Sequence, residues 1–473
     1  MLKGKVMLTL YLFEEVTMSM LMFYEYLSKI ETLLEENREL ELHVYLEEMH
    51  AADIAEVLEN LEDEQQMLVF GLLSDDKATE VLEEINSEQF STIIKDLAYE
   101  KKVTLLENMS QDDIVDKLSE LSESRQKEII AFLDYEDAAD VKELLIYEEA
   151  TAGRLMTKDY VSIRKDYSVY YAIETLRSTA PDAETIYYIY VTDEFNRLVG
   201  VISLRELIIS APNKSIETIM NENLITVNVN DDQEHVARIV SKYDLLAIPV
   251  VDNLGKLQGI ITIDDVLDIL EEEATEDIFK FAGTSEDEIY ENDTKLFDRV
   301  RNSVKSRLPW LLVTILGGLL SAKVLANYQG TISSNATLAL FMPLLTGMGG
   351  NVGTQSSTIT VRNIATHVIE GTGILRTLVH EISVGLVVGV VCSLLVAGSA
   401  LIMNAEYHIA MIVGVAMWAN MTTAATIGTI VPLVFKKIGV DPAVASAPFI
   451  TTTIDLTGLT IYFSLATMLI ASI

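Results

Sequence analysis

The chain has 473 residues, 49% of them hydrophobic, and its 72 acidic side chains against 34 basic ones give a formal net charge of −38. This balance excludes a nucleic-acid-binding protein, which needs a basic surface to neutralise phosphates. Residues 309 to 473 are nearly neutral and contain apolar runs long enough to cross a bilayer, which excludes a purely soluble protein. The single cysteine, Cys392, lies in one of these runs, so no disulfide and no thiolate metal site is predicted.

The first 150 residues divide into two predicted segments. Residues 1 to 30 are apolar, but Glu14 and Glu15 interrupt the run and no small-residue cleavage site follows, which predicts an N-terminal extension rather than a signal peptide. Residues 31 to 150 repeat short amphipathic stretches, with apolar residues at spacings of three and four and with Asp, Ser or Asn at their starts. They predict an acidic, all-helical N domain built as an array of short helices.

Residues 151 to 270 contain an internal repeat with a constant offset of 59 residues. Asp193 of the first copy aligns with Asp252 of the second, and each copy reads as strand, turn, strand and helix. Two tandem copies in this order resemble a pair of α/β CBS domains, which usually sense a ligand rather than catalyse a reaction.

The resemblance to CBS pairs implies a candidate nucleotide site. Many such pairs bind adenine nucleotides through a Ser/Thr-x-x-Asp motif that contacts the ribose. The second copy matches this motif with Thr262 and Asp265, whereas the first copy has Ser203 and Glu206. Together with Tyr188, these residues are the candidate contacts of an ATP molecule.

Residues 271 to 308 predict a connecting (plug) helix that leads into the membrane. The segment is acidic at its start and ends in a basic cluster directly before the first apolar run, formed by Arg299, Arg301, Lys305 and Arg307. A basic cluster beside a membrane helix is typical of the cytoplasmic side.

Residues 309 to 473 predict a transmembrane domain with five spans, at about 309–328, 337–361, 376–403, 409–435 and 444–472. Each run reaches the roughly 20 residues needed to cross a bilayer. If the basic cluster lies inside, the loop between spans two and three and the loop between spans four and five also lie inside. These two loops carry the basic residues Arg362, Arg376, Lys436 and Lys437, as the positive-inside rule requires. The sequence therefore predicts a cytosolic N-terminus and a C-terminus outside.

The second span is polar for a membrane helix. It reads PLLTGMGGNVGTQSSTITVR over residues 343–362, with four glycines and the amide side chains of Asn351 and Gln355. Close packing of small residues between helices accounts for the glycines, but amides and hydroxyls that face lipid are costly. The pattern favours a helix that borders a water-filled pathway and loosens at its glycines, with plain helix packing as the alternative.

The fifth span contains Asp455, about eleven residues from the predicted start of the span and therefore roughly 17 Å deep. An ionised carboxylate at that depth costs about 3 kcal/mol or more, so such residues usually face a pathway. A neutral Asp455 bonded to a hydroxyl of a neighbouring helix is the alternative. Thr451 lies one turn earlier, and a site made only of oxygens with one negative charge suits a hard cation such as Mg²⁺.

After about residue 30, nearly the whole chain resembles the MgtE family of magnesium channels. The resemblance rests on the order of the parts and on the motifs GGNVGTQSST and GVDPAVASAPFITTTIDLTG. It implies a multidomain protein of the cytoplasmic (inner) membrane, with an all-α helical array, tandem CBS domains, a connecting (plug) helix and a five-helix transmembrane domain. It also implies a homodimer that carries Mg²⁺ through a pore between its two copies, with no nucleic acid as partner.

The same resemblance implies which residues hold Mg²⁺ in the pore. They are Asp455, Thr451, Gly347, Gly350 and Thr354, the glycines and Thr451 acting through backbone oxygens. The family commonly has Asn where this chain has Thr354, and often Ala where it has Thr451. These departures concern the fine geometry of the filter.

Acidic residues also crowd together in the N domain, the second CBS copy and the connecting helix. Two like charges 4 Å apart repel by about 4 kcal/mol at an effective dielectric constant near 20, so facing clusters separate unless a divalent cation bridges them. The resemblance to the family implies regulatory Mg²⁺ sites at these places. The matching residues are Asp112, Asp116, Glu234, Asp244, Asp265, Asp268, Glu273, Glu276 and Asp277.

The sequence thus predicts a magnesium channel that closes when cytosolic Mg²⁺ fills the acidic sites. A CBS-regulated secondary transporter is the first alternative, although Asp455 and an interfacial Glu381 are its main titratable candidates. A membrane-anchored receptor is the second, and it leaves Asp455 without a role. An enzyme is disfavoured, because the chain has no P-loop and no nucleophile with a paired base, and its C-terminal histidines lie at span edges, at His367, His380 and His408.

Overall fold

The structure, a computed structural model, describes residues 21–179, 183–285, 296–365, 373–403 and 405–471. The chain forms two compact units, Met1–Leu270 and Glu271–Ile473. Most of the predicted N-terminal extension lies outside the described residues, and its last ten residues belong to a helix, α1, that continues to residue 35.

The N domain is an array of short helices, as predicted. Its helices after α1 are eight to ten residues long: α2 Glu39–Glu48, α3 Ala51–Glu59, α4 Asp63–Gly71, α5 Asp75–Glu84, α6 Ser87–Asp96, α7 Tyr99–Asn108, α8 Gln111–Ser119, α9 Glu123–Ile130 and α10 Tyr135–Leu144. Side-chain oxygens of Ser74, Asn86, Ser110 and Asp134 cap backbone N–H groups at four helix starts. One face of each helix supplies the buried Ile, Leu and Val side chains of a shared core.

The repeat of residues 151 to 270 folds into two similar halves. The first contains α11 Ala152–Leu155, β1 Tyr160–Arg164, α12 Val169–Thr179, β2 Thr185–Thr192, β3 Leu198–Ser203 and α13 Leu204–Ile209. The second contains β4 Val227–Asn228, α14 Gln233–Tyr243, β5 Ala247–Val251, β6 Leu257–Thr262 and α15 Ile263–Ala282. In each half the first strand pairs parallel with the second, and the second pairs antiparallel with the third.

Equivalent aspartates close the hairpin turn in both halves. Asp193 Oδ1 accepts backbone hydrogen bonds from Phe195 and Arg197. The oxygen Oδ1 of Asp252, 59 residues later, accepts the same pair of bonds from residues 254 and 256. This match confirms the repeat that the sequence predicts.

The second unit contains five long helices at the places of the predicted spans. They are α16 Leu296–Asn327, α18 Thr337–Ala365, α19 Gly373–Ile402, α20 Tyr407–Lys437 and α21 Ala447–Ala471, with a short α17 Gln329–Ser334 after the first. Among the described residues, four stretches are long and apolar enough to cross a membrane: Val300–Asn327, Gly373–Ile402, Tyr407–Lys437 and Ala447–Ile470. Helix α18 is equally long, but its polar side chains keep it out of that group, and its crossing stays a prediction.

Two predicted boundaries differ from the structure. Helix α15 already begins at Ile263 and ends at Ala282, and α16 begins at Leu296, so residues 271 to 308 are not one continuous helix. The fifth long helix begins at Ala447 rather than near residue 444, because Asp441 caps a short 3₁₀ turn over Pro442–Val444. Asp455 therefore lies only about 12 Å from the start of its helix.

Candidate functional site

Helix α18 has a buried face of small residues and an exposed face of polar ones. The buried face includes Gly349, Gly350, Gly353, Ser356 and Ser357. The opposite face is exposed or half-exposed and repeats at helical spacing, with Gly347, Asn351, Thr354, Gln355, Thr358 and Arg362. Amide and hydroxyl groups in this arrangement are costly against lipid, so this face requires water or another protein surface.

The buried glycines bring α18 against α21. A Cβ atom at Gly353 would lie 1.8 Å from Ile454 Cδ1, and one at Gly350 would lie 3.2 Å from Thr451 Cγ2. A Cβ at Gly347 would meet no atom within 4 Å. The structure thus brings the predicted pore residues Gly350 and Thr451 into contact and leaves Gly347 on the exposed side.

Helix α18 is continuously helical from Thr337 to Ala365, so the predicted loosening at its glycines is not seen. Contacts of these glycines with α21 support the helix where isolated glycines would weaken it. The carbonyl of Thr354 also accepts a hydrogen bond from the Thr358 hydroxyl at 2.9 Å. Most backbone oxygens of α18 therefore have one lone pair left to offer to an ion, and that of Thr354 has none.

Asp455 is half-buried on α21, one turn after Thr451. Within the described parts of the chain, its carboxylate has no hydrogen-bond donor and no basic partner. The Thr451 hydroxyl turns back to its own helix and donates to the carbonyls of Ala447 and Pro448, at 2.9 and 3.1 Å. The alternative of an aspartate bonded to a neighbouring hydroxyl is therefore not seen.

Glu381, which the sequence predicts near the membrane interface, is buried inside the protein. It is 3% exposed on α19, and its Oε2 accepts a hydrogen bond from Ser356 Oγ at 2.8 Å, on the buried face of α18. Its neighbour His380 is exposed and lies 3.2 Å from Oε1. His408 pairs with Glu406 at 2.8 Å near the start of α20, and His367 lies outside the described residues.

In the first unit, carboxylates from the helical array and both CBS halves gather around Asp112. Asp112 is 6% exposed, and its buried Oδ1 has no hydrogen-bond partner among the described residues. Burial, and then the charges of Asp265 and Asp113, hold the pKa of Asp112 well above its usual range. A buried carboxyl group beside other carboxylates is shifted in this direction, because both burial and like charges disfavour its ionised form.

The neighbouring carboxylates respond in the same direction. Burial and the charge of Asp113 raise the pKa of Glu83 to about 8. Burial raises the pKa of Asp265 to about 6, against two hydrogen bonds from Thr262 that lower it. Desolvation and the charge of Asp113 raise the pKa of Glu184 to about 7. Glu184 keeps solvent-exposed surface, so water can stabilise its charged form better than that of the buried Asp112.

Sequence reasoning missed Glu83 and Glu184 in this cluster. They lie on α5 and directly before β2, far from Asp112 in the chain, and neither lies in a recognisable motif. Gln111 was missed as well: its Nε2 donates to Asp137 at 3.3 Å and to Asp159 at 3.1 Å, joining the helical array to the first CBS half.

The other predicted regulatory residues are not gathered in this way. Glu234 and Asp244 lie at opposite ends of α14, about 15 Å apart along the helix axis, so one chain cannot place both on a single ion. Asp116 and Asp268 are exposed. Glu273, Glu276 and Asp277 are half-buried on α15, in the second unit.

No preformed metal cage is present in the described part of the chain. There, no group of three His, Cys, Asp or Glu side chains is arranged so that it could hold a metal ion. An ion held by one or two carboxylates and by water needs no such cage, and Mg²⁺ commonly binds in that way.

The candidate nucleotide residues form two equivalent pairs. Thr262 Oγ1 donates to Asp265 Oδ2 at 2.6 Å, and Ser203 and Glu206 form a capping box at the start of α13. Tyr188 lies directly opposite Ser203 in the β2–β3 pairing. Each carboxylate thus already bonds the hydroxyl of its own motif.

Comparisons with known proteins cover the helical array, both CBS halves and most of the last four long helices. Residues 342–465 match the family model MgtE, a divalent cation transporter, and residues 49–150 match the MgtE intracellular N domain. Residues 152–212 and 216–272 match the CBS domain. The magnesium transporter MgtE of Enterococcus faecalis is 41% identical over 333 residues, which cover 70% of this chain and 72% of that protein.

The chain belongs to the MgtE family of magnesium transporters. The MgtE protein of Thermus thermophilus is 39% identical over 336 residues, covering 71% of this chain and 73% of that protein. The crystal structure of the cytosolic domain of the Mg²⁺ channel MgtE in complex with ATP is 39% identical and covers 51% of this chain and 99% of that one, with a TM-score of 0.49. MgtE proteins are membrane transporters rather than enzymes. This confirms the predictions of a membrane protein and of a protein that is not an enzyme.

Proposed function

We propose that the chain forms a magnesium-selective channel whose ion pathway is lined by α18 and α21. Two observations carry the proposal: α18 has an exposed polar face and packs on α21 where Gly350 meets Thr451, and Asp455, one turn after Thr451, has no partner among the described residues. An unpaired carboxylate in a largely apolar domain is best stabilised by a cation that passes it. Mg²⁺ is the cation that fits membership of the MgtE family.

A second copy of the chain completes the pathway. In one chain no helix of the described residues covers the polar face of α18, and α16 is almost fully exposed along its apolar length. Pairing two copies across these faces removes polar groups from lipid and encloses an aqueous path between two Asp455 carboxylates. The functional unit is therefore a homodimer in the cytoplasmic membrane.

Within this pathway, Asp455 attracts the cation and the oxygens around it hold its water shell. Mg²⁺ dehydrates reluctantly, so carbonyl oxygens near Gly347, Gly350 and Thr451 and the Thr354 side chain contact the ion through water. Thr354 is half-buried at the edge of the polar face, where its hydroxyl can reach such a hydrated ion.

The placement of Glu381 favours a channel over an ion-coupled transporter. A coupled transporter needs a titratable group that can face the pathway. Glu381 bonds Ser356 on the buried face of α18, away from Gly347 and Asn351. That leaves Asp455 as the one acidic side chain of the described long helices beside the polar face.

The charge pattern sets the orientation. Arg362, Arg376, Lys436 and Lys437 fall on the side of the basic residues that precede the first span. The N-terminus and the acidic first unit are therefore cytosolic, and the C-terminus is outside.

The acidic cluster around Asp112 supports regulation by cytosolic Mg²⁺. Its donors are carboxylate oxygens, which Mg²⁺ prefers, and Asp112 Oδ1 has no partner within the described residues. A cation would offset the repulsion between the helical array and the CBS halves and favour the closed state. Regulation requires that the ion bind the closed state better than the open one.

The other predicted regulatory residues provide further contacts for cytosolic Mg²⁺ in the second CBS half and on α15. Glu234, Asp244 and Asp268 act as separate contacts in the second CBS half. Glu273, Glu276 and Asp277 act on α15, the connecting helix that leads toward the membrane domain.

The same proposal includes ATP as a ligand of the CBS pair. Thr262 and Asp265 are the candidate ribose contacts of one copy, and Ser203, Glu206 and Tyr188 those of the other. The crystal structure of the cytosolic domain of the Mg²⁺ channel MgtE, which is 39% identical to this chain, contains ATP. Titration of the purified protein with ATP, compared with Thr262→Val, tests this part by itself.

The channel proposal is tested by Mg²⁺ flux into proteoliposomes in which ionophores collapse the proton and sodium gradients. Flux driven only by the Mg²⁺ gradient and the membrane potential is expected. A strict need for a proton or sodium gradient would instead establish a coupled transporter.

A further inference from the structure

Asn420 lies in the middle of α20 and contacts both helices that line the proposed pathway. Its side chain is 1% exposed. Nδ2 donates to the backbone carbonyl of Leu345 on α18 at 2.7 Å. Because a carbonyl only accepts, this bond fixes the orientation of the amide and turns Oδ1 away from α18.

The oxygen of this amide faces α21. A Cβ atom at Gly458 would lie only 2.4 Å from Asn420 Oδ1, and one at Gly349 would lie 2.7 Å from Nδ2. Glycine is thus required on both neighbouring helices to make room for one asparagine. Gly458 lies three residues after Asp455, and Leu345 lies two residues before Gly347.

Stability alone does not explain this residue. Oδ1 is buried and has no hydrogen-bond partner among the described residues. An amide that is buried with an unsatisfied oxygen costs free energy that an apolar side chain of similar volume would avoid. The cost indicates a role in the geometry of the site rather than in the stability of the core.

We infer that Asn420 is a positioning residue that sets the spacing of α18 and α21, and through it the distance between the polar face of α18 and Asp455. The inference rests on the proposed pathway that these two helices line. Asn420 does not touch the ion; it holds α18 through Leu345 and separates α21 through Gly458. It is therefore a determinant of which hydrated cations fit.

The first test is the ratio of Mg²⁺ to Ca²⁺ flux in proteoliposomes of the full-length protein. Asn420→Ala should change this ratio by about fivefold, the change that one net hydrogen bond supports. Thr422→Val is the matched control on the same helix, because among the described residues the Thr422 hydroxyl donates to the backbone carbonyl of Trp418 on its own helix and to no other group. A purely structural role would lower both fluxes together and leave the ratio unchanged, which would overturn the inference.

The second test is reciprocal suppression. Gly458→Ala should abolish most of the flux by colliding with Oδ1, and Asn420→Ala with Gly458→Ala should recover the flux of Asn420→Ala alone. Failure of the double variant to recover would contradict the contact. If Asn420→Ala does not fold, Asn420→Ser, which keeps a donor in a smaller side chain, is measured against the same criteria.

The variant Asp455→Asn, measured in the same preparation, separates the two proposals. If its flux is lost while Asn420→Ala leaves the ion ratio unchanged, only the positioning role fails. If its flux survives, the pathway itself is wrong, whatever Asn420 does.

Discussion

Lys280, near the end of α15, pairs with Asp441, which caps the turn that leads into α21. The distance from Lys280 Nζ to Asp441 Oδ2 is 3.0 Å, and Nζ also lies 2.6 Å from Glu276 Oε1. Although desolvation lowers the pKa of Lys280, its hydrogen bonds to Glu276 and Asp441 raise it above the usual value. The acidic connecting helix is thereby joined to the helix that carries Asp455.

Loss of this ion pair should weaken inhibition by cytosolic Mg²⁺. Lys280→Met and Asp441→Asn should each raise the half-inhibitory Mg²⁺ concentration about two- to fivefold, because a pair that is one-third exposed contributes up to about 1 kcal/mol. The double variant should add little, since both changes break one contact. Lys323→Gln, an exposed cation elsewhere in the membrane domain, is the control, and inhibition curves that coincide with wild type would refute the link.

Neutralising the acidic cluster should leave the channel open at high Mg²⁺. Asp112→Asn with Asp116→Asn removes repulsion and also removes ligands, and we expect the loss of ligation to dominate. Flux should persist at cytosolic-side Mg²⁺ concentrations that silence the wild type. Asp63→Asn with Glu64→Gln, two exposed acids of α4, is the matched control; unchanged inhibition in the Asp112 variant would count against the regulatory site.

The stability of the first unit should fall as pH rises, in the absence of divalent cations. The folded-state pKa values of Glu83, about 8, and Asp265, about 6, exceed those of the unfolded chain. The folded protein therefore binds more protons than the unfolded chain between about pH 4 and 8, and the free energy of unfolding decreases over that window. Calorimetry in chelator should show a lower unfolding temperature at pH 8 than at pH 5.5.

One variant and one added ion sharpen this pH experiment. Glu83→Gln should flatten the upper part of the slope, because it removes the group that titrates near pH 8. Added Mg²⁺ should raise the unfolding temperature more at pH 8 than at pH 5.5. An unfolding temperature that rises with pH in chelator would contradict the prediction. It would mean that the folded protein stabilises the charged form of these carboxylates.

Because α18 and α20 pack closely, a larger residue at their contact should destabilise the membrane domain. A Cβ atom at Gly428 would lie 2.3 Å from the backbone oxygen of Gly353, so Gly428→Ala should destabilise the membrane domain by about 1–3 kcal/mol. Gly398, also in a long helix, has no atom within 4 Å of such a Cβ, and Gly398→Ala should be neutral or slightly stabilising. Thermal unfolding in detergent measures both, and equal midpoints would contradict the packing.

Local patterns in the sequence predict most of the fold. The 59-residue offset places Asp193 and Asp252 in equivalent turns, and helical spacing predicts the array and the long helices correctly. Boundaries were less exact where a cap intervenes: Asp441 starts a 3₁₀ turn, which shifts the start of the helix of Asp455. Caps of this kind depend on a few side-chain hydrogen bonds rather than on periodicity.

Contacts between residues far apart in the chain could not be predicted from the sequence. The sequence places Glu381 near the end of a span, but it does not predict that Glu381 is buried and accepts a hydrogen bond from Ser356 on another helix. Glu83 and Glu184 join Asp112 only through folding, and Asn420 is a lone amide in an apolar run whose partners, Leu345 and Gly458, are set by tertiary packing. No local pattern encodes these pairings.

The most direct test of the account is Mg²⁺ uptake into proteoliposomes by wild type and by Asp455→Asn, with Glu406→Gln as a control that removes a carboxylate from a loop of the same domain. We predict that uptake is lost in Asp455→Asn and kept in Glu406→Gln, and that wild-type uptake stops as cytosolic-side Mg²⁺ rises. Uptake that survives Asp455→Asn would contradict the central claim that the ion passes this carboxylate.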